Sequence, residues 1–150
     1  MKPSVMYRVA SVLLVLFAIG HTFGFRQSDS GWGVSALLAL MQSIHFDLQG
    51  FSRTYWDLYS GLGFFVTVFL LFSAMLAWQL GGSRGETLSR VRGIAWALAL
   101  SFCALTLLSW RYLFTAPIVF TFLIAVCLTA AAWLSAKPTG RGKNGRGERI

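Results

Sequence analysis

The sequence predicts an all-α integral membrane protein, folded as a single four-helix bundle with both termini in the cytoplasm. Three observations support this fold class: four apolar segments of similar length, an uneven distribution of basic residues between their ends, and no polar segment long enough for a soluble domain. The apolar segments cover residues 9–25, 57–80, 93–110 and 117–136. Each is close to the roughly 20 helical residues that cross a hydrocarbon core about 30 Å thick.

The basic residues predict how the four spans are oriented. An even number of spans places both termini on one side, and the opposite side then carries only Arg26, Arg53 and Arg111. The chain has 13 Lys and Arg residues, so ten remain on the side of the termini. Because basic residues concentrate in cytoplasmic connections, the sequence predicts an N-in, C-in topology.

Residues 1–25 also have the charged start and apolar run of a signal peptide. The small residues Ala18 and Gly20 are followed directly by His21 and Phe23, without a convincing cleavage motif. Cleavage would leave three spans and would separate the basic tail from the basic second connection. We therefore predict that the first helix is retained.

The net charge of +8 follows from this topology and does not indicate a nucleic-acid partner. Much of it lies in residues 137–150, which are Gly-rich, basic and almost free of apolar side chains. Such a segment cannot bury a core, so we expect a transmembrane domain at 1–136 and a disordered cytoplasmic tail at 137–150. Each cation near anionic lipid contributes about 1 kcal/mol. Membrane lipids are the expected partners, and a homo-oligomer or a membrane complex remains open.

Cys103 and Cys127 lie near the middle of the third and fourth spans. A disulfide between them would require close, correctly aimed Cβ atoms and an oxidant at the bilayer midplane. We interpret both as small packing residues, with the disulfide as the alternative.

The first connection, residues 26–56, is the long one. It contains a set of residues close to the spacing of one helical face, namely Val34, Leu37, Leu38, Met41, Ile44, His45 and Leu48. This pattern predicts an amphipathic helix over 34–47. The helix lacks a basic polar face, so we expect it to fold over the outer, periplasmic mouth of the bundle instead of binding acidic lipid by charge.

The candidate ligand-binding residues collect around this outer mouth. They are His21, His45, Asp47, Arg53, Asp57, Tyr59, Arg111 and Tyr112. The span interiors contain no Asp, Glu, Lys or Arg, which disfavours coupled ion transport. We expect His21 and Arg111 to face one cavity. We also expect Arg111 to contact Asp47 or Asp57, directly or through water, because an unpaired charge at the membrane boundary is costly.

Several of these residues also have a structural interpretation. Thr54 and Asp57 have the spacing of a capping box at the start of the second span. The aromatic residues near the outer ends of the spans, Tyr59 and Tyr112 among them, are typical of an interfacial belt. Gly20 and Gly24 form a G-x-x-x-G pattern that predicts close helix packing, and Gly61 and Gly63 predict similar contact on the second span.

The two histidines are the only ones in the chain. An imidazole titrates close to neutrality and can act as a proton donor, a metal ligand or a haem ligand, so a haem held by His21 and His45 is one alternative. His45 and Asp47 are about 200° apart around a helix and would share a face only in an extended segment.

Three stretches resemble a known group of proteins. GHTFGF at 20–25, FSRTYWDLYSGLGFFVT at 51–67 and YLFTAPIVF at 112–120 resemble small uncharacterised bacterial four-helix membrane proteins. The resemblance spans most of residues 8–136 and implies a bacterial inner-membrane bundle whose marked residues are periplasmic. The architecture is also similar to that of DoxX-like proteins, by analogy at the level of fold, which transfers no catalytic residue.

These observations lead to one main hypothesis and two alternatives. In the first, the outer mouth binds a small amphipathic ligand such as a lipid or quinone head group. Arg111 would then face an anionic or carbonyl oxygen, and His21 or His45 would donate a hydrogen bond. In the second, the chain is a redox subunit that carries haem or a metal on the two histidines. In the third, it is a structural accessory subunit. Catalysis and the identity of a cofactor stay open.

Overall fold

The computed structural model describes residues 2–28, 30–83, 87 and 90–136. Within these residues the chain forms five α-helices, one 3₁₀ turn at Ser30–Trp32 and one two-stranded hairpin. The helices are α1 (Pro3–Gly24), α2 (Ser35–Ser43), α3 (Tyr55–Gly82), α4 (Arg92–Tyr112) and α5 (Thr115–Ala136), and the strands are β1 (His45–Leu48) and β2 (Phe51–Thr54). The tail predicted at 137–150 lies outside the described residues.

The four predicted spans are confirmed as helices long and apolar enough to cross a membrane. They are α1, α3, α4 and α5, with mean hydropathies between 1.8 and 2.3 in their most apolar windows. The first helix begins earlier than predicted because Pro3 stands in its first turn, where its fixed φ suits a helix and its missing N–H is not needed. Pro117 likewise lies in the first turn of α5.

The helices pack in a definite order. α1 lies between α3 and α5 and packs along both, and α5 also packs along α4. The α1–α3 contact is tight: Ser11 Oγ donates a 2.8 Å hydrogen bond to the Ala74 carbonyl, and a Cβ added at Gly81 would lie 3.2 Å from the Ser4 carbonyl oxygen. Small residues permit such close backbone approach inside a membrane.

The glycine pattern in α1 does not serve this packing. A Cβ added at Gly20 or Gly24 would meet nothing within 4 Å, and the same holds for Gly61 in α3. The predicted close contacts at these three positions are therefore wrong. Gly63 is different, because a Cβ there would meet the ring of Phe25. The G-x-x-x-G spacing failed because it fixes a helix face without fixing the direction in which that face points.

Burial along α3 is uneven. One end of the bundle is where α1 ends and α3 begins, and we call it the hairpin end. The opposite end is called the termini end. All fully buried side chains of α3 lie from Leu70 to Gly81, and none lies in residues 55–69. By contrast, α5 is buried repeatedly from Thr121 to Ala132. The hairpin-end half of α3 therefore leaves the protein core.

The segment between α1 and α3 differs from the prediction. α2 ends at Ser43, and His45–Leu48 then pairs with Phe51–Thr54 in an antiparallel hairpin. The two turn residues, Gln49 and Gly50, both have positive φ, 52° and 86°, as a type I′ hairpin turn requires. The chain is mostly helical, as predicted, but the single helix predicted over 34–47 is replaced by the shorter α2 and the first strand of the hairpin.

The helix α2 has no fully buried side chain. Val34, Leu38 and Met41 are partly buried, while Leu37 and Leu40 are more than half exposed. It packs against α3 and β2. The short helix and the hairpin together therefore cover part of the otherwise open half of α3.

Candidate functional site

The predicted site residues fall into three separate groups. His21 and Tyr59 belong to a cluster between α1 and α3. A second group, on the hairpin and the start of α3, contains His45, Asp47, Arg53 and Asp57. A third contains Arg111 and Tyr112 at the end of α4. The first group is held by contacts of His21 and Tyr59 with their neighbours, the second by strand pairing and the bonds of Thr54 with Asp57, and the third by the stacking of Arg111 on Tyr112.

His21 is the best enclosed of the predicted residues. Its ring is partly buried, and its Nδ1 lies 3.2 Å from the Thr67 hydroxyl on α3. One face of the ring stacks on Phe25 at a centroid distance of 5.2 Å and an angle of 19°. Phe17 meets the ring edge-on at 6.4 Å. The imidazole is thus fixed in orientation by one hydrogen bond and two aromatic neighbours.

Two threonine hydroxyls complete the polar part of this cluster. Thr22 Oγ1 donates a 2.7 Å bond to the Ala18 carbonyl and lies 3.0 Å from Thr67 Oγ1. Thr67 Oγ1 is also 3.4 Å from the Gly63 carbonyl, a long contact. Neither threonine was predicted as a site residue. The available signal was weak: a hydroxyl directly after His21, and another among several polar residues of the second span.

Phe25 connects the imidazole to the hairpin end of α3. Its ring contacts those of Tyr59 at 6.0 Å and Phe64 at 5.4 Å, and it occupies the space that a side chain at Gly63 would need. The Tyr59 hydroxyl donates a 2.6 Å bond to the Phe25 carbonyl. The Arg26 guanidinium lies over Phe25 at 5.7 Å and over Phe64 at 5.4 Å. Arg26 therefore brings a positive charge to this cluster, which sequence reasoning did not predict.

The capping box at the start of α3 is confirmed. The Thr54 N–H donates to Asp57 Oδ2 at 2.9 Å, and the Asp57 N–H donates to Thr54 Oγ1 at 3.1 Å. Asp57 is exposed and lies near enough to Arg53 and His45 to interact with their charges. Its carboxylate thus has a structural role that accounts for its position.

The hairpin places the second histidine and its neighbouring carboxylate on one face. His45 pairs with Thr54 and Asp47 with Ser52, and side chains two apart on a strand point the same way. His45 and Asp47 are both exposed, and His45 Nδ1 bonds to the Ser43 carbonyl at 3.0 Å. No group of three His, Cys, Asp or Glu side chains that could hold a metal occurs in the described part of the chain.

Arg111 is exposed, and its guanidinium lies 5.2 Å above the ring of Tyr112, which is 72% exposed. It forms no direct ion pair with either described carboxylate, Asp47 or Asp57. The expected direct contact is therefore not formed. The Arg111 guanidinium at the end of α4 is therefore on the surface of the bundle and does not contact His21.

Two concave surfaces run along helix pairs. A groove of about 710 Å³ follows α4 and α5, and its lining includes Cys103, Leu107, Phe122, Val126 and Trp133. A second, of about 490 Å³, follows α1 and α3 and is lined in part by Ser11, Val12, Leu71, Met75 and Trp78. Both are apolar and open, as expected of surfaces that contact lipid chains. Cys103 and Cys127 are free, so the disulfide alternative is wrong.

Comparison with protein-family models, with curated proteins and with solved structures gives no match to this chain. The resemblance of residues 20–25, 51–67 and 112–120 to a bacterial membrane-protein group therefore stays a prediction. The cluster around His21 is the feature of the structure that bears most directly on function.

Proposed function

We propose that this protein binds a small amphipathic molecule of the membrane, with the polar head group at His21 and the apolar part along the open half of α3. The observation that carries the proposal is the state of the His21 ring. Its Nδ1 is tied to Thr67, while its Nε2 has no hydrogen-bond partner among the described residues and is not a buried atom. One ring nitrogen is thus fixed and the other is available.

An available nitrogen at this depth needs a partner. A polar group that leaves water without a hydrogen bond costs roughly 1–3 kcal/mol in proteins, and few side chains near the ring can supply one. The neighbours of His21 are the rings of Phe17 and Phe25 and the already bonded Thr67. A head group that reaches Nε2 would satisfy it.

The apolar part of the ligand has a route from the lipid. In residues 55–69 of α3 no side chain is fully buried, and Leu62 and Phe65 are 64% and 73% exposed. A molecule already dissolved in the bilayer can therefore reach the cluster sideways, along apolar side chains. We place the protein in a bacterial inner membrane, N-in and C-in, with this cluster on the periplasmic side.

The proposed site is smaller than the one predicted from the sequence. It keeps His21 and Tyr59, and it takes its positive charge from Arg26, which lies over Phe25, instead of from Arg111. His45, Asp47 and Arg53 are exposed on the hairpin and form at most its rim. Arg26 is suited to a carbonyl or anionic oxygen of the head group.

Native mass spectrometry of the protein in lipid nanodiscs tests the proposal. We expect a retained small molecule in the unaltered protein and its loss in His21→Phe, which keeps an aromatic ring but removes both nitrogens. His45→Phe is the matched control, because this exposed ring should leave the molecule in place. Equal retention by both variants would contradict the proposal.

A structural accessory role is the second candidate function. It is favoured by the bonds themselves, since the contacts of Thr67 with His21 and Thr22 join α1 to α3. In that case His21→Phe should lower the unfolding midpoint while no small molecule is found in any variant. The two candidates therefore predict different masses.

The haem alternative gains no support from the contacts. His21 bonds to Thr67 and His45 to the Ser43 carbonyl, and no described hydrogen bond or ring contact joins the two histidines. It stays a prediction, and a Soret band in the purified protein would be its first sign.

A further inference from the structure

We infer that His21 is held as the Nδ1–H tautomer and that the head group this protein takes up is an O–H donor, bonding to the free lone pair of Nε2. A hydroquinone ring hydroxyl and a lipid glycerol hydroxyl both have this chemistry. The inference rests on the proposed function and specifies the class of its ligand. It follows from counting the protons available to three side chains.

The proton of Thr22 is already used. Its hydroxyl donates to the Ala18 carbonyl at 2.7 Å, the shortest bond of the cluster. The 3.0 Å contact between Thr22 and Thr67 therefore needs the proton of Thr67. Thr67 has only a poor alternative, the Gly63 carbonyl at 3.4 Å.

With the Thr67 proton directed to Thr22 or to its own helix, the bond between Thr67 and His21 needs a proton from the ring. Nδ1–H donating to Thr67 Oγ1 at 3.2 Å supplies it. When Thr67 donates to Thr22, the three contacts of 3.2 Å or less each have one proton, and only the long contact with the Gly63 carbonyl has none. In the other tautomer Thr67 would donate to Nδ1, and the oxygens of Thr22 and Thr67 would lie 3.0 Å apart with no proton between them. The hydroxyl pair thus selects the Nδ1–H tautomer.

The consequence is chemical selectivity. In neutral imidazole, the nitrogen without a proton is an acceptor, so Nε2 presents a lone pair to the ligand. A hydroxyl can donate to it, whereas a quinone carbonyl, which is only an acceptor, would face another lone pair. A site that accepts one hydrogen bond rejects analogues without the donor. We therefore expect a hydroquinone to bind more tightly than the corresponding quinone.

Nitrogen-15 NMR of the ring tests the tautomer directly. The chain has two histidines, so His45→Gln leaves His21 as the single labelled imidazole. We expect the proton on Nδ1 and an unprotonated Nε2. Adding Thr67→Val removes the acceptor and should shift the population toward Nε2–H, while Thr67→Ser, which keeps the hydroxyl, should not. A ring protonated at Nε2 in the parent protein would overturn the inference.

Binding measurements test the ligand class. Decylhydroquinone under anaerobic, reducing conditions, decylquinone, and phosphatidylglycerol in nanodiscs are compared on the same protein. One hydrogen bond predicts an affinity about tenfold higher for the hydroquinone than for the quinone, and Thr67→Val should reduce that ratio. Selective retention of phosphatidylglycerol instead would keep the O–H class and identify a lipid as its source.

The outcomes separate this inference from the proposed function. If hydroquinone and quinone bind equally and both are lost in His21→Phe, the protein binds amphipathic molecules but the donor rule is wrong. If no hydroxyl-bearing probe binds while another molecule is retained, the donor rule is wrong as well. If no variant retains any small molecule, both the proposed function and the donor rule are wrong.

Discussion

Gly61 and Gly63 lie two residues apart on α3, and exchanging each for alanine should have opposite effects on stability. In an exposed helix interior, Gly→Ala stabilises by up to about 1 kcal/mol. At Gly61 a Cβ meets nothing within 4 Å, so this gain should be realised. At Gly63 the Cβ would lie 2.5 Å from Phe25 Cδ2 and 2.8 Å from Cζ. Carbon atoms prefer about 3.5–4.0 Å, so the ring has to move by roughly 1 Å.

That movement has a cost because the Phe25 ring has other contacts. It stacks on His21 and meets Tyr59 and Phe64. Overpacking of this kind costs about 1–3 kcal/mol, which exceeds the helix-propensity gain or cancels it. We expect Gly63→Ala to be less stable than Gly61→Ala by about 1–3 kcal/mol, and to lose most of the small molecule that copurifies.

The assay is reversible unfolding in mixed micelles, with bound small molecule measured on the same samples. Both substitutions are repeated in a Phe25→Ala variant. Because the ring is absent there, Gly63→Ala should change the stability as Gly61→Ala does. The coupling between residues 25 and 63 is then read from the double-mutant cycle. Equal stability of the two single variants, or no coupling in the cycle, would refute the packing reasoning.

Three further predictions concern topology, the cap and the hairpin. A cysteine introduced at Ser30 should react with an impermeant reagent in intact cells and one at Ser83 should not; labelling at Ser83 alone would reverse the proposed orientation. Thr54→Ala should cost about 1 kcal/mol of unfolding free energy and Asp57→Asn the same or less, and an unchanged midpoint for Thr54→Ala would exclude the cap as a stabilising element. Gly50→Ala should cost about 1–2 kcal/mol, because φ is 86° there, and undisturbed hairpin amide signals and stability would contradict the turn assignment.

The parts of the fold that depend on local sequence could be predicted. Span length and hydropathy are properties of contiguous residues, so all four long helices were found. The capping box needs only Thr54 and Asp57, three residues apart, and it formed as predicted. The hairpin was missed because Ile44 and Leu48 are four apart and fit a helical face, although Gln49-Gly50 suits a two-residue turn. In so short a segment, periodicity alone does not distinguish a helix from a hairpin.

For the site residues, the sequence predicts the position along each helix but not the side of the helix to which the side chain points. His21 and Arg111 both lie toward the hairpin ends of their helices, as residue counting predicted. Depth follows from a rise of about 1.5 Å per residue, whereas the side to which a residue points depends on which helices are neighbours. Arg111 proved exposed and His21 partly buried. Thr67 carried no usable signal, because a threonine in a span most often bonds to its own helix.

The position of the cluster follows from how small and large residues are divided along α3. The half that packs contains Ser73, Ala74, Ala77 and Gly81, all buried, and small residues are what allow helices to approach closely in lipid, where no hydrophobic force draws them together. Residues 55–69 contain mostly bulky side chains and none is buried. α3 therefore packs against the bundle at its termini end, while its hairpin end is exposed on the surface. Among the described residues, two polar contacts hold the open half, the hydrogen bond from Tyr59 to the Phe25 carbonyl and the contacts of Thr67 with His21 and Thr22. In the proposed function, a membrane-dissolved ligand would meet the imidazole where the packed part of α3 ends, and we expect that strengthening the packing there with small residues would exclude the ligand.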